Sequence, residues 1–201
     1  MTAGPACLIA AYLLGGIPFG LILYRAARGR DIRSVGSGNI GAANVARAGG
    51  WGIGLLTLAG DAAKGVASVL IARVATGAPA WEAAAALGAV AGHCFPVYLK
   101  FRGGKGVATG CGAFAFLDPA AMGVAVVVFA VAVALTRMVS AGSMLAALTF
   151  PLAAAALGGP AEVALLAGGA GALIVIRHHT NLGRIVRGEE RRLGAGRRDE
   201  A

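Results

Sequence analysis

Apolar residues fall into seven runs along the chain, at about residues 5 to 24, 51 to 75, 80 to 99, 107 to 117, 119 to 136, 139 to 157 and 160 to 176, with short polar or Gly-rich stretches between them. At about 1.5 Å of rise per helical residue, about 20 apolar residues cross a bilayer core, and most of the runs are close to that length. The run 107 to 117 reaches only about 16 Å. The pattern predicts an all-α integral membrane protein, a bundle of transmembrane helical segments joined by short loops.

The cations decide how the doubtful run is counted. Basic residues collect on the cytoplasmic side of short loops. All 18 Lys and Arg residues except Lys64 and Arg73 fall after the first run, after the third, between the fifth and sixth, or in the tail that follows the last. The intervening loops carry Glu82, Asp118 and Glu162. If 107 to 117 crosses or dips and returns at Asp118-Pro119, every basic loop shares one side and every acidic loop the other. The expectation is therefore seven segments, N-terminus outside and C-terminus cytoplasmic, with five full spans as the alternative of the same parity.

Composition sharpens the class. Of 201 residues, 58% are hydrophobic and 13% charged, with a mean hydropathy of +0.76. A soluble domain carries about 25% charged residues. The chain is expected to be one polytopic membrane domain over 1–201, without a soluble domain beside it. Met1 to Ala6 lacks a basic region, which argues against a cleaved signal peptide. Cys7, Cys94 and Cys111 are isolated and read as small buried apolar residues. The 33 glycines, as at Gly88, Gly92, Gly168, Gly169 and Gly171, suit close helix packing. The formal net charge of +9 on so apolar a chain calls for an anionic partner.

Three basic loops, about 25–50, 100–109 and 177–190, hold most of the chemistry. The first reads S-V-G-S-G-N-I-G-A-A-N-V-A-R from Ser34 to Arg47. Gly36, Gly38 and Gly41 permit backbone N–H groups to converge on anionic oxygens. Ser37, Asn39 and Asn44 add neutral hydrogen bonds, and Arg47 a planar fork for phosphate or carboxylate. The second, K-F-R-G-G-K-G-V-A-T, surrounds Lys105 with Gly103, Gly104 and Gly106 and leads through Thr109 into a helix. A helix N-terminus beside an ammonium suits a phosphate, although the Walker A spacing is absent. By themselves both loops also fit flexible glycine turns.

The third loop, R-H-H-T-N-L-G-R-I-V-R-G-E-E from Arg177 to Glu190, has two adjacent histidines. Adjacent residues on a helix do not face one ion, so no metal is expected; His178 with Asn181 fits alcohol orientation or proton handling better. A solvated basic tail is the competing reading. Asp61 and Lys64, three apart in D-A-A-K, can pair within a span. His93, in G-H-C-F-P, either lines the site or satisfies a backbone group.

Together, G-S-G-N-I-G-A-A-N-V-A-R, F-R-G-G-K-G-V-A-T and R-H-H-T-N-L-G-R-I-V-R-G-E-E, with D-A-A-K-G and G-H-C-F-P-V between them, resemble the signature motifs of the bacterial membrane acyl-phosphate:glycerol-3-phosphate acyltransferases of the PlsY type, over almost the whole chain. Ala43 stands where that family often has Thr, and His179 occupies a variable position. The resemblance implies transfer of a fatty acyl group from acyl phosphate to the 1-hydroxyl of sn-glycerol 3-phosphate. The products are lysophosphatidic acid and phosphate, in the first acylation step of phospholipid biosynthesis at the bacterial cytoplasmic (inner) membrane. It assigns Lys105, Gly103, Gly104, Gly106 and Thr109 to the glycerol-3-phosphate phosphate. Arg47 and Ser37, with Gly38, Asn39, Gly41 and Asn44, go to phosphate recognition and transition-state charge, and His178 and Asn181 to the glycerol hydroxyl. Asp61, Lys64, His93 and Glu190 support the site, Glu190 through nearby arginines. No cofactor or nucleic acid is implied; the bilayer and a peripheral enzyme that makes the acyl phosphate are the implied partners.

The H-x-x-x-x-D pair of thioester-dependent acyltransferases is absent, since five residues beyond His93, His178 and His179 lie Tyr98, Gly183 and Arg184. A transporter of organic phosphates would show charges near the midplane and often two related halves. A protein that only holds anionic lipid heads needs no particular order of Gly, Ser, Asn and His.

Overall fold

The computed structural model describes residues 3–194, which form ten α-helices and two 3-10 turns, with no strand among the described residues. Arg197 and Arg198 of the basic tail lie outside the described residues. The first apolar run is two helices, α1 (Ala3–Gly15) and α2 (Phe19–Arg28), because Pro18 interrupts the ladder between them. Gly29, at φ 67°, closes α2 in the left-handed region, its N–H donating to the Arg25 carbonyl. A 3-10 turn at Ile32–Ser34 leads to α3 (Ala42–Gly49), then α4 (Trp51–Thr76) and α5 (Pro79–Cys94). After a second 3-10 turn at Val97–Leu99 come α6 (Val107–Leu117), α7 (Pro119–Thr136), α8 (Val139–Ala156), α9 (Ala161–Arg177) and α10 (His179–Val186). Asp118 caps α7 by accepting from the Ala121 N–H at 2.9 Å, with Pro119 at the first helical position, so the break between α6 and α7 is built into the sequence.

Five stretches are long and apolar enough to cross a membrane: Ala3–Arg28, α4, Pro79–Leu99, α7 and α8. α9 and α10 meet at 57° and add a sixth only when the bent pair counts as one span; α6 has 11 residues. The surface agrees with a lipid setting. Val74, Leu135 and Leu165 are 81%, 81% and 76% exposed, an arrangement costly in water and neutral against acyl chains.

Small residues bring the helices close. A Cβ on Gly65 of α4 would overlap the Thr109 carbonyl of α6, and one on Gly112 of α6 would overlap the backbone of Ala62. These reciprocal contacts hold α6 against α4 although it has only 11 residues. The largest core cluster joins α4, α5, α6, α7, α8 and α9 through alanines, Val69, Val90, Ile174 and the Phe114–Phe150 pair, whose centroids are 5.3 Å apart.

All seven apolar runs carry α-helix, the first interrupted between Gly15 and Phe19 and the third giving way to a 3-10 turn after Cys94. The differences lie in the loops: the stretch 25–50 contains the end of α2, a turn and α3, and 177–190 contains α10. Both added helices have eight residues, too short for apolar periodicity to stand out from a Gly-rich background.

Candidate active site

The second loop is organised from behind. The Gly103 N–H donates to the Cys94 carbonyl at 3.2 Å and the Gly104 N–H to the His93 carbonyl at 3.0 Å. Their own carbonyls accept from Arg177, Gly103 from Nη2 at 3.0 Å and Gly104 from Nε at 3.1 Å. The expectation that Gly103 and Gly104 offer N–H groups to phosphate is thereby corrected, because both donors are already used. Their glycine character has another cause: a Cβ on Gly103 would overlap the His93 carbonyl, and one on Gly104 would overlap the His93 ring. The open donors lie one step on. Gly106, at φ 81°, begins α6 with no side-chain cap, and the N–H groups of Lys105, Gly106 and the first turn of α6 have no partner among the described residues. Thr109 is also reassigned, since it is fully buried with Oγ1 3.2 Å from His93 Nδ1.

Lys105 reaches from this loop to the third, where its Nζ donates to Asn181 Oδ1. Asn181 Nδ2 donates to Glu190 Oε1 at 2.6 Å, and the same oxygen accepts from Ser140 Oγ at 2.6 Å. Arg184 Nε pairs with Glu190 Oε2 at 2.8 Å. The Asn181 amide is thus fixed in orientation, oxygen towards the ammonium and nitrogen towards the carboxylate. Burial raises the Glu190 carboxyl, and the hydrogen bonds from Ser140, Asn181 and Arg184 more than reverse that, holding it below the usual carboxylate range. The expected anchoring role of Glu190 through an arginine corresponds to its contact with Arg184.

His178 follows the last residue of α9 and is 2% exposed. Its Nδ1 lies 2.8 Å from the Ile174 carbonyl. A carbonyl accepts, so Nδ1 carries the proton and Nε2 keeps its lone pair. Burial first, then the neighbouring Lys105 charge, push the imidazole down to about 4, against the Ile174 carbonyl and Glu190, so it is neutral at physiological pH. His179 turns elsewhere, its Nδ1 3.0 Å from the Ile176 carbonyl, and is exposed. The two histidines do not converge on a point.

The first loop is self-contained at its centre. Asn44 is 3% exposed; its Oδ1 accepts from the Ser37 N–H at 3.0 Å, and its Nδ2 donates to the Val35 and Asn39 carbonyls at 3.0 and 2.9 Å. The Gly38 N–H bonds the Val35 carbonyl, and the Gly41 N–H bonds Asn39 Oδ1 at 2.8 Å. The nest expected of Gly36, Gly38 and Gly41 is corrected at two of its members: the Gly38 and Gly41 N–H groups, with Asn44, hold the loop's own shape, and a Cβ on Gly36, at φ 63°, would meet Asn44 Oδ1. Ser37 is exposed, with only its N–H engaged in that scaffold. Arg47 on α3 lies within electrostatic reach of Arg191, Glu190, Arg184 and Lys105. Burial first, then Arg191, lower its affinity for its proton, with Glu190 opposing.

The three loops therefore converge. Lys105, Asn181 and His178 meet beside the open end of α6, and Arg47, Arg177, Arg184 and Arg191 surround them with one carboxylate, Glu190, in their midst. A cleft of about 590 Å³ runs between the first and second loops, lined by Asp31, Arg33, Ser34, Gly38, Phe101, Arg102, Gly103 and Arg177. On the other side an apolar crevice of about 60 Å³ begins at Val107 and Gly110 and passes Phe114 and Phe150. Asp61, Lys64 and His93 form a buried cluster behind the second loop and do not face the cations. Sequence reasoning missed Arg177 and Ser140 as site-building residues. Arg177 had a signal, a cation opening the third motif; Ser140 had none, its partner lying 50 positions away.

Such a site can hold a phosphate, orient a hydroxyl and receive an apolar chain. A family model described as Glycerol-3-phosphate acyltransferase matches residues 5–188. The glycerol-3-phosphate acyltransferase of Anaeromyxobacter sp. strain K is 48% identical over 195 residues, 94% of this chain and 97% of that one. That of Syntrophotalea carbinolica is 48% identical over 197 residues, 97% of this chain and all of its own. The crystal structure of PlsY (YgiH), an integral membrane glycerol 3-phosphate acyltransferase, in its glycerol 3-phosphate form, superposes with a TM-score of 0.90 at 38% identity, covering 95% of this chain and 96% of that one. The chain belongs to the glycerol-3-phosphate acyltransferase family of multi-pass membrane enzymes.

Proposed function

We propose that the protein transfers a fatty acyl group from acyl phosphate to the 1-hydroxyl of sn-glycerol 3-phosphate, releasing lysophosphatidic acid and inorganic phosphate. The observation that carries this reading is the meeting of Lys105, Asn181 and His178 at the uncapped end of α6. The glycerol-3-phosphate phosphate sits against Lys105 Nζ and the free N–H groups from Lys105 through the first turn of α6, with Arg47 adding charge. Gly103 and Gly104 admit the backbone, and Asn44, Asn39, Gly38 and Gly41 keep the first loop, with Ser37 at its tip, over the site. The acyl chain starts in the apolar crevice at Val107 and continues into lipid.

In the reaction the glycerol oxygen forms a bond to the acyl carbonyl carbon and the bond from that carbon to the phosphate oxygen breaks. The neutral His178 accepts a hydrogen bond from the attacking hydroxyl at Nε2 and aligns it. With a pKa of about 4 it holds a proton weakly. The proton goes to the departing phosphate, whose oxygen becomes far more basic than this imidazole as its bond to the acyl carbon breaks, so the product leaves as hydrogen phosphate. The donor is already activated, so no covalent acyl-enzyme is needed.

The chain is read as one domain of seven helical segments, N-terminus outside and C-terminus cytoplasmic, in the bacterial cytoplasmic membrane. The asymmetric distribution of cations supports this topology. The basic face then also suits a peripheral enzyme that supplies the acyl phosphate.

Two consequences are testable in detergent-purified protein. Burial pushes the Lys105 ammonium down to about 8, with Arg184, Arg47 and Arg177 adding to the effect and Glu190 opposing it. The charged form binds phosphate, so kcat/KM for glycerol 3-phosphate falls about tenfold per pH unit above about pH 8. Bound phosphate favours the ammonium, and the corresponding fall in kcat is displaced to higher pH. A profile flat to pH 10 contradicts the role of Lys105. In the second case, Gly104→Ala sets a methyl group against the His93 ring and displaces the phosphate loop; a shift of about 1 Å lowers kcat/KM about 100-fold. Steady-state kinetics on the folded variant checks this.

The donor is tested by supplying labelled glycerol 3-phosphate with palmitoyl phosphate or with palmitoyl-CoA. The expected result is labelled lysophosphatidic acid with palmitoyl phosphate alone. Equal or faster transfer from the thioester overturns the assignment of donor.

A further inference from the structure

Beneath the second loop a chain of polar groups crosses the interior of the bundle. Lys64 Nζ on α4 lies 2.8 Å from Asp61 Oδ1, both side chains 2% exposed, and donates to the Ile17 carbonyl at 2.7 Å, at the break between α1 and α2. His93 Nδ1 on α5 lies 3.5 Å from the same Asp61 oxygen and 3.2 Å from Thr109 Oγ1, in the first turn of α6. An unprotonated Nδ1 would turn its lone pair on the carboxylate, so the proton sits on Nδ1, between Asp61 and Thr109. Four elements are joined through these groups: the α1–α2 break, α4, α5 and α6.

The position of this chain gives it a use. Thr109 is the third residue of α6, whose open N-terminus is the phosphate site, and the backbone of α6 at Thr109 rests on Gly65 of α4. The His93 carbonyl receives the Gly104 N–H, and its ring fills the space a Gly104 side chain would take. His93 thus touches both halves of the site, the Gly103-Gly104 segment through its backbone and ring and the first turn of α6 through Nδ1. A buried ion pair is a costly way to gain stability, and its better-attested use is to fix one geometry. We propose that His93, beside the Asp61–Lys64 ion pair, is a positioning residue that sets the α6 N-terminus and the Gly103-Gly104 segment for the acceptor phosphate through its bond to Thr109. The inference rests on the placement of glycerol 3-phosphate at the α6 N-terminus proposed above.

The test uses full-length purified protein and two readouts: KM and kcat for glycerol 3-phosphate, and inhibition by inorganic phosphate alone. Thr109→Val removes the hydroxyl at nearly constant shape, and Thr109→Ser restores it. His93→Asn places an amide N–H near the position of Nδ1–H, and His93→Gln does not. Thr109→Val and His93→Gln are expected to raise KM and the phosphate inhibition constant together by about tenfold, the scale of one buried hydrogen bond, with kcat changed less than about threefold. Thr109→Ser and His93→Asn bring both constants back towards the parent values. In the double variant Thr109→Val with His93→Gln the effects do not multiply, because one bond is lost once. A purely structural role lowers the yield of folded protein or its Tm and leaves KM in the folded fraction unchanged.

Lys105→Met separates the two levels of the argument. If it raises the phosphate inhibition constant while Thr109→Val and His93→Gln leave it unchanged, the positioning role is overturned and the phosphate site stands. If Lys105→Met leaves the constant unchanged, the placement of the phosphate fails, and the positioning role with it.

Discussion

Replacing Lys105 with methionine is expected to lower kcat/KM for glycerol 3-phosphate by about 10²–10³-fold, the range for removing one preorganised charge or donor from a water-poor site. Methionine keeps the length of the side chain and loses the ammonium. Asn181 retains Glu190, and Glu190 retains Ser140 and Arg184, so the third loop keeps its shape. The loss is then specific to the charge facing the phosphates. Because the ammonium meets acceptor phosphate in the ground state and gathering charge in the transition state, both KM and kcat suffer. Activity near the parent value at saturating substrates contradicts the placement, and thermal unfolding of the variant distinguishes a lost charge from a lost fold.

For His178, alanine is expected to cost about 10²–10³-fold in kcat, while glutamine retains more activity. The reason is the tautomer. Nδ1 is committed to the Ile174 carbonyl, leaving Nε2 to accept, and a glutamine carbonyl oxygen can serve as an acceptor near that position. The imidazole is neutral at working pH, so its contribution is orientation of the alcohol and not charge. Single-turnover rates with palmitoyl phosphate give the comparison directly. Equal loss in His178→Gln and His178→Ala would point instead to a role in carrying the proton.

The apolar helices were legible in the sequence because apolar runs of about 20 residues leave few alternatives, and the break at Asp118-Pro119 carried its own capping signal. The second break, within the first run, was less visible: Gly16, Ile17 and Pro18 sit in an apolar stretch whose length masks the interruption. The identities of Lys105, Arg47, His178 and Asn181 as candidates came from residue chemistry in ordered loops. Their partners did not, since the bonds from Lys105 to Asn181 and from Ser140 to Glu190 join positions 76 and 50 apart. The glycines were misread for a related reason. A glycine needed for φ, one needed for backbone donors and one needed for close approach are identical in sequence. Only the neighbours separate Gly106, at φ 81°, from Gly104, under the His93 ring. Asn44 likewise looked like a phosphate ligand and is the buried centre of its loop, because an amide satisfies backbone groups as readily as it binds oxygen.

The division of the basic residues follows from the same geometry. Arg184 pairs with Glu190, Arg177 holds the Gly103 and Gly104 carbonyls, and Lys105 reaches Asn181 with Arg47 within electrostatic range of it. The net charge therefore has local meaning: some cations gather where the three loops meet, and Arg177 and Arg184 build the walls around them.

The most direct measurement is phosphate release by the purified protein given palmitoyl phosphate, with and without glycerol 3-phosphate, alongside quantified lysophosphatidic acid. The account predicts release that requires the acceptor and equals the lysophosphatidic acid formed, mole for mole, and that falls together with it in Lys105→Met and His178→Ala. Release that ignores glycerol 3-phosphate, or no release from folded protein, would contradict it.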